Sequence, residues 1–274
     1  MKVAALQMTS GPDVAANLAQ AAALLEEAAR RGAQLAALPE NFSFMGLKDA
    51  DKRAVAEPDG RGPVQDFLAA SARRQKLWIV GGTTPLQGGA DGRVAAASLV
   101  YDAEGARVAR YDKIHLFDVD LPGRAESYRE SANVTPGAIP AVLDTPVGRL
   151  GLSVCYDVRF PELYRHLSAA GAQLLSVPAA FTAPTGRAHW ETLLRARAIE
   201  NLCYVIAPAQ SGIHPSGRET YGDSMIVDYW GRVLNRVPRG RGCAVAEIDL
   251  ARQTSVREGF PALTHRSLGE GARR

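Results

Sequence analysis

The sequence predicts an α/β protein in which two sheets and two helical layers form a four-layer αββα sandwich. Short apolar strands alternate with amphipathic helices, and the element order of the first half recurs in the second. Each half would place its helices on one face of a mixed sheet, so the two sheets would pack together with the helices outside. With 274 residues, 46% of them hydrophobic, the chain can bury one large core.

The first half begins with a short buried strand, and Asp13 then caps an alanine- and leucine-rich helix that runs to Gly32. A strand, a second helix and a third strand follow, and two further strands joined by a turn complete this half as a hairpin. The predicted strands are residues 3–8, 35–38, 77–82, 94–101 and 107–111, and the second helix is residues 63–75.

The second half repeats this order without obvious sequence identity to the first. Its predicted strands are residues 150–154, 173–177 and 203–207, its helices are residues 161–170 and 188–201, and a hairpin over residues 224–237 turns at residues 228–231. Residues 252–274 lack clear periodicity. We therefore expect one domain over residues 1–251 and a C-terminal tail over residues 252–274.

The composition argues against several classes of function. The net charge of +3 is spread along the chain, so nucleic acid is not an expected partner, and no apolar stretch is long enough to suggest a membrane helix. The three cysteines, Cys155, Cys203 and Cys243, are too few for a disulfide framework and form no Cys-x-x-Cys pair. We expect a cytoplasmic protein without a metal or another cofactor.

Cys155 is the candidate nucleophile, because it stands where an apolar strand runs into a helix that starts near Pro161. At such a junction the backbone N–H of Tyr156 and the helix N-terminus favour an anion, which would help to form a thiolate. A buried structural cysteine explains the same position equally well, and it is the preferred interpretation of Cys203 and Cys243.

Glu40 and Lys113 are the candidate partners of this thiol. Glu40 directly follows a buried strand, where desolvation would raise its pKa towards a value useful for proton transfer, although a helix cap or a loop ion pair is the commoner role. Lys113 follows the first hairpin, and its charge could lower the pKa of the cysteine and bind an oxyanion, although most lysines are solvated at the surface.

Three short motifs resemble the nitrilase superfamily of carbon-nitrogen hydrolases, and the resemblance extends over residues 3–249. The motifs are Leu-Pro-Glu40, Tyr-Asp-Lys113 and Ser-Val-Cys155-Tyr-Asp. The resemblance implies that Glu40, Lys113 and Cys155 form the catalytic set, and that Glu130 is the second glutamate that holds the lysine. It also implies the αββα sandwich and an assembly of two or more copies.

Longer strings at residues 155–163, 188–200 and 221–228 are similar to the Nit-type amidases within this superfamily. The likeness implies hydrolysis of a small carboxylate-bearing amide through a cysteine thioester, with Lys113 and the Tyr156 N–H around the oxyanion. It places Arg159 on the substrate carboxylate, although a structural ion pair explains that residue equally well. Phe181 and Thr182 match the pocket wall.

The preferred substrate on these grounds is deaminated glutathione, with other ω-amides and N-carbamoyl amino acids as alternatives. A Cys-His arrangement is the rival chemistry, but the resemblance assigns a role to none of the five histidines. The competing class of function is a non-catalytic small-molecule-binding protein on the same fold.

Overall fold

Two sheets and five α-helices form the body of the protein in a computed structural model, which describes residues 1–88, 91–121, 123 and 126–267. The helices are α1 Val14–Arg30, α2 Pro63–Gln75, α3 Pro161–Ala169, α4 Ala183–Asn201 and α5 Leu250–Gly259. The strands are β1 Lys2–Gln7, β2 Leu35–Ala37, β3 Trp78–Val80, β4 Thr84–Gln87, β5 Val94–Tyr101, β6 Arg107–Asp112, β7 Asp118–Asp120, β8 Ser127–Arg129, β9 Val134–Thr135, β10 Val142–Thr145, β11 Gly148–Leu152, β12 Leu174–Ser176, β13 Tyr204–Ala207, β14 Ser211–Ile213, β15 Glu219–Tyr221, β16 Ser224–Val227, β17 Val233–Val237 and β18 Gly242–Glu247. Short 3-10 helices cover Asp49–Arg53, Glu130–Ala132 and Cys155–Arg159.

The two sheets share the same arrangement of their central strands. The first has the order β18-β1-β2-β3-β5-β4, with β6 and β9 also paired to β5, and the second has the order β10-β11-β12-β13-β16-β17. Strands β1, β2 and β3 are parallel, as are β11, β12 and β13. The carboxyl ends of each parallel set therefore lie at one edge of its sheet, which is where loops gather side chains for binding or catalysis.

The layers follow from the alternation of side chains along the buried strands. On β1, Val3 and Ala5 face the core shared with the second sheet, whereas Ala4 and Leu6 face a separate core with α1 and α2. Helices α3 and α4 contact the second sheet. The order helix, sheet, sheet, helix confirms the predicted αββα sandwich.

Most predicted elements are confirmed, with differences at their ends. The Asp13 carboxylate caps α1 by accepting the Ala16 N–H at 3.1 Å, and α2 covers the predicted residues 63–75. Both hairpins form as predicted, β5 with β6 and β16 with β17. Helix α4 starts at Ala183, earlier than the predicted residue 188, because the proline in its first turn is compatible with a helix start.

The tail predicted from residue 252 is wrong for residues 252–259, which belong to α5. The Gln253 side chain is fully buried and donates to the carbonyls of Gln173 at 2.9 Å and Leu202 at 2.8 Å. Arg257 also donates to the Leu202 carbonyl. Polar anchoring of this kind leaves little apolar periodicity to detect. Residues 268–274 of the predicted tail lie outside the described residues.

No helix in the described part of the chain combines the length and apolar character needed to cross a membrane.

Candidate active site

A pocket lies where loops leave the strands of both sheets. Glu40 follows β2, Lys113 follows β6 and Cys155 follows β11, so the first sheet supplies the two charged groups and the second supplies the thiol. All three side chains line this pocket. The other lining residues are Asn41, Asp49, Lys52, Phe117, Tyr128, Glu130, Tyr156, Ala180, Phe181, Thr182, Thr185 and Arg218.

Lys113 is a buried ammonium held between two carboxylates. Its Nζ donates to Glu40 Oε1 at 2.8 Å and to Glu130 Oε2 at 2.8 Å, and its side chain is only 2% exposed. Burial opposes the charge, but the charges of Glu130 and Glu40 outweigh burial and raise the pKa of Lys113 well above its ordinary value. Lys113 is therefore a fixed cation at neutral pH.

Glu130 is the link between Lys113 and the loop after β6. It begins the 3-10 helix Glu130–Ala132, and its Oε2 also accepts the Phe117 N–H at 2.7 Å. The structure thus places Glu130 on Lys113 as the resemblance implied.

Glu40 carries a second hydrogen bond that orients it. Its Oε2 accepts the Ala180 N–H at 2.7 Å, while Oε1 accepts a hydrogen bond from the Lys113 ammonium. Burial alone would raise the pKa of Glu40, but the charge and hydrogen bond of Lys113 outweigh it, so the pKa of Glu40 lies below its ordinary value. The expected upward shift is therefore wrong, because sequence reasoning counted desolvation without the ion pair.

Cys155 sits on a tight turn at the end of β11. Its φ of +48° is in the left-handed region, which is strained for a residue with a side chain, and its N–H donates to the Pro178 carbonyl at 2.8 Å. Burial and the adjacent Glu40 carboxylate raise the pKa of the thiol well above its ordinary value, although Lys113 opposes them. The lowering expected from the charge of Lys113 is thus outweighed, and Cys155 rests as a neutral thiol beside an ionised carboxylate.

The residue after the cysteine offers a free backbone donor. The Tyr156 N–H has no hydrogen-bond partner within the described chain, since the first bond of this turn runs from the Asp157 N–H to the Val154 carbonyl. An unpaired N–H next to a nucleophile can bind a developing oxyanion.

Aromatic rings form much of the pocket wall. Tyr156 packs edge-on against Phe117, with ring centroids 5.1 Å apart. Phe181 packs against Trp190 at 4.9 Å, and Thr182 hydrogen-bonds through its hydroxyl to Thr185 at 2.7 Å. The predicted wall residues Phe181 and Thr182 both lie on the pocket surface.

Arg159 lies outside the lining of the pocket, behind its aromatic wall. Its guanidinium carbon is 5.2 Å from the ring centroid of Phe181 and 5.8 Å from that of Tyr156, and Nη1 is 3.3 Å from His189 Nδ1. No carboxylate of the described residues forms an ion pair with it. The structural ion pair is thus wrong, and Arg159 retains free donors.

Sequence reasoning missed several residues of this region, among them Asp157, Lys52 and Arg218. Asp157 is fully buried and accepts bonds from Tyr111, His115 and Val154, so it ties the Cys155 turn to the segment that carries Lys113. Asp157 stands within the quoted Cys-Tyr-Asp motif, which was the available signal. Lys52 lies in the 3-10 helix Asp49–Arg53 and Arg218 in the turn between β14 and β15, and nothing local marks either residue.

The part of the chain that the structure describes contains no group of three or more His, Cys, Asp or Glu side chains able to hold a metal ion. Glu40 and Glu130 instead share a lysine. The site thus combines a carboxylate, a thiol, a fixed cation and a free N–H. Such a set is suited to acyl transfer through sulfur.

Known proteins share this sequence and fold. A deaminated glutathione amidase from Synechocystis sp. is 47% identical over 271 residues, which cover 96% of this chain and 97% of that protein. The C. elegans NitFhit protein superposes with a TM-score of 0.88 at 42% identity, over 97% of this chain and 64% of that one. An amidase from Nesterenkonia sp. AN1, whose structure shows acrylamide added to its active-site cysteine, gives a TM-score of 0.79 at 28% identity, over 95% and 98% of the two chains.

The family assignment combines this likeness with the sequence itself. A sequence model of the carbon-nitrogen hydrolases matches residues 2–258, a span that includes Glu40, Lys113, Glu130 and Cys155. The fold and the relatives agree with that match. The chain belongs to the carbon-nitrogen hydrolase family and is an amidase.

Proposed function

We propose that Cys155 attacks the carbonyl carbon of an amide while Glu40 accepts the thiol proton. The observation that carries the proposal is the meeting of this thiol, the Glu40 carboxylate and the Lys113 ammonium in one pocket. Because the resting thiol is neutral, proton transfer accompanies attack, and the negative charge passes to the carbonyl oxygen. Lys113 and the Tyr156 N–H bind that oxyanion.

The tetrahedral intermediate then loses its amine. Glu40 returns the proton to the departing nitrogen as the C–N bond breaks, which leaves a Cys155 thioester. Glu40 next takes a proton from water, whose oxygen attacks the thioester carbon, and the acid is released as the thiol is restored. Lys113 stays protonated throughout, since two carboxylates hold its charge.

The proposed substrate is deaminated glutathione. The Synechocystis protein of that name supports it, as do the free donors of Arg159, which would receive the carboxylate of the acyl half once the aromatic wall adjusts. In this substrate the scissile nitrogen belongs to cysteinylglycine, so that dipeptide is the amine released. Other ω-amides with the same acyl half release ammonia.

A substrate panel tests the proposal. We expect deaminated glutathione to be cleaved with a higher kcat/KM than α-ketoglutaramate, N-carbamoyl amino acids or aliphatic amides. Turnover of aliphatic amides alone would reject the substrate, and binding without turnover of any amide would indicate a non-catalytic protein. Cys155→Ala should abolish turnover and the thioester adduct seen by mass spectrometry, whereas Cys203→Ala should keep both.

We also propose that the protein works in a reducing compartment, the cytoplasm, because all three of its cysteines are free thiols.

Self-association is a further proposal. Ile199, Trp230 and Phe260 are at least half exposed, and the rings of Trp230 and Phe260 are 5.8 Å apart, which forms an apolar surface suited to a second copy. Sedimentation velocity should give a dimer or larger species, and Trp230→Glu should weaken it; a monomer at micromolar concentration would reject self-association.

A further inference from the structure

Arg218 lies beside the pocket with most of its hydrogen-bonding capacity unused. Its Nη2 donates to the Ala180 carbonyl at 2.8 Å, and its guanidinium carbon is 5.2 Å from the ring centroid of Tyr128. Its Nε is buried and has no hydrogen-bond partner in the described structure. A guanidinium has five N–H donors, so Arg218 keeps donors for a ligand.

The position of Arg218 is fixed relative to the catalytic carboxylate. The carbonyl of Ala180 accepts from Arg218, and the N–H of the same residue donates to Glu40 Oε2 at 2.7 Å. Only the backbone of one residue separates the guanidinium from the proposed base. A substrate group that binds to Arg218 would therefore lie close to the reacting amide of the same substrate molecule.

The pocket shares Arg218 and four other lining residues with a wider neighbouring cavity, here called the vestibule. The inner pocket has a volume of about 30 Å³, whereas the vestibule has about 210 Å³. Bulky parts of a substrate thus have more room in the vestibule. It is lined by Asn41, Met45, Gly46, Leu47, Lys48, Asp49, Lys52, Ser127, Tyr128, Ser216 and Arg218.

The cations Lys52 and Arg218 lie where the two spaces meet. The innermost part of the pocket holds two carboxylates, Glu40 and Glu130, against the Lys113 ammonium, whereas Asp49, Lys52 and Arg218 line both spaces. The vestibule is lined by three cations, Lys48, Lys52 and Arg218, and by one carboxylate, Asp49. Lys52 forms no ion pair or hydrogen bond with any described residue, and its charge reaches Glu40, whose pKa it helps to lower. A substrate carboxylate is thus favoured in the vestibule.

We propose that Arg218 and Lys52 form a subsite for a carboxylate carried by the leaving amine. The preferred substrates are then amides that release an amino acid or a short peptide, rather than ammonia. The inference rests on the proposed function, because cysteinylglycine ends in such a carboxylate. Two extended residues span about 7 Å, which carries that carboxylate out of the inner pocket. Arg218 would bind it through paired N–H donors and Lys52 through its ammonium.

The test compares deaminated glutathione with its C-terminal amide, which differs only in the charge of the leaving group. We expect the kcat/KM of the wild-type protein to be higher for the free acid by about tenfold or more. A difference of that size is typical of charge-assisted hydrogen bonds. Arg218→Gln should reduce this ratio to near one, and Lys52→Gln should reduce it in part. Arg74→Gln, at an exposed position on α2, is the matched control and should keep the wild-type ratio.

The ratio of the two kcat/KM values separates the loss of a charge contact from structural damage, since a displaced Ala180 or Glu40 would slow the cleavage of both substrates equally. An unchanged ratio in Arg218→Gln, or a wild-type ratio near one, overturns the subsite and leaves the proposed function standing. Cleavage of α-ketoglutaramate with no cleavage of either member of the pair overturns both.

Discussion

In the proposed mechanism, three buried ionisable side chains set the chemistry through opposed pKa shifts. The pKa of Glu40 is lowered and that of Cys155 is raised, so the proton rests on sulfur while the base is ready. Lys113 causes the first shift and reduces the second. Removing Lys113 would therefore leave the buried Glu40 carboxylate and the partly buried Glu130 carboxylate without this ammonium, which is costly.

The pH dependence of kcat/KM follows from the sign of the Glu40 shift. Because its pKa lies below the ordinary 4.5, Glu40 stays ionised at neutral and mildly acidic pH, and activity should fall only below about pH 4.5. The same ionisation stabilises the fold above that pH, and this contribution is lost as the pH falls through the lowered pKa.

Initial rates between pH 4 and 8, with circular dichroism as a control for unfolding, would check this prediction. An acid limb centred near pH 6 or 7 would mean that desolvation dominates Glu40 after all.

At the scale of elements, the turn that carries Cys155 and the segment that carries Lys113 are joined by one carboxylate. Asp157 Oδ2 accepts the Val154 N–H at 2.8 Å and the Tyr111 hydroxyl at 2.7 Å, and Oδ1 accepts the His115 N–H at 3.0 Å. Tyr111 and His115 lie on either side of Lys113 in the chain. Asp157 therefore holds Lys113 and Cys155 in register across the two sheets.

Asp157→Asn should lower both activity and stability. The amide can accept only through one oxygen, so buried donors lose partners, and we expect a loss of about 2–4 kcal/mol in the free energy of unfolding. Because Lys113 and Cys155 would move relative to each other, kcat should fall more than KM rises. Denaturant unfolding and steady-state kinetics measure the two effects.

Asp144→Asn is the matched control, because the Asp144 side chain is 85% exposed. It should change stability by less than about 0.5 kcal/mol. Equal behaviour of the two variants would contradict the bridging role of Asp157.

The sequence was most informative where a strand ends and chemistry begins. Glu40 and Cys155 each lie three residues beyond the last residue of a strand, and strand ends are readable from apolar runs. The pKa directions of both residues were not readable, because each depends on neighbours from other elements. Arg218 lies in the turn between β14 and β15, and its contact with Ala180 exists only in the folded chain.

At the scale of the molecule, α5 attaches the C-terminal part of the chain to the second sheet. Gln253 and Arg257 supply hydrogen bonds to carbonyls at the starts of β12 and β13. The αββα order could be predicted because both halves repeat it. The helix could not, because polar side chains rather than an apolar stripe hold it in place.

Truncation tests this attachment. A chain ending at Gly259 keeps α5 and should unfold within about 1 kcal/mol of the full chain. A chain ending at Asp249 leaves the Leu202 and Ala172 carbonyls without these donors and should lose more than about 3 kcal/mol in urea unfolding. Equal stability of the two truncated chains would restore the interpretation of residues 252–259 as a tail.

The split origin of the pocket has a consequence for fragments. Glu40 and Lys113 come from the first sheet and Cys155 from the second, so neither half contains the whole proposed catalytic set. Two co-expressed pieces, cut between β9 and β10, would each be inert and would recover turnover only by reassociating. Recovered turnover would thus report that the two halves of the chain have reassociated.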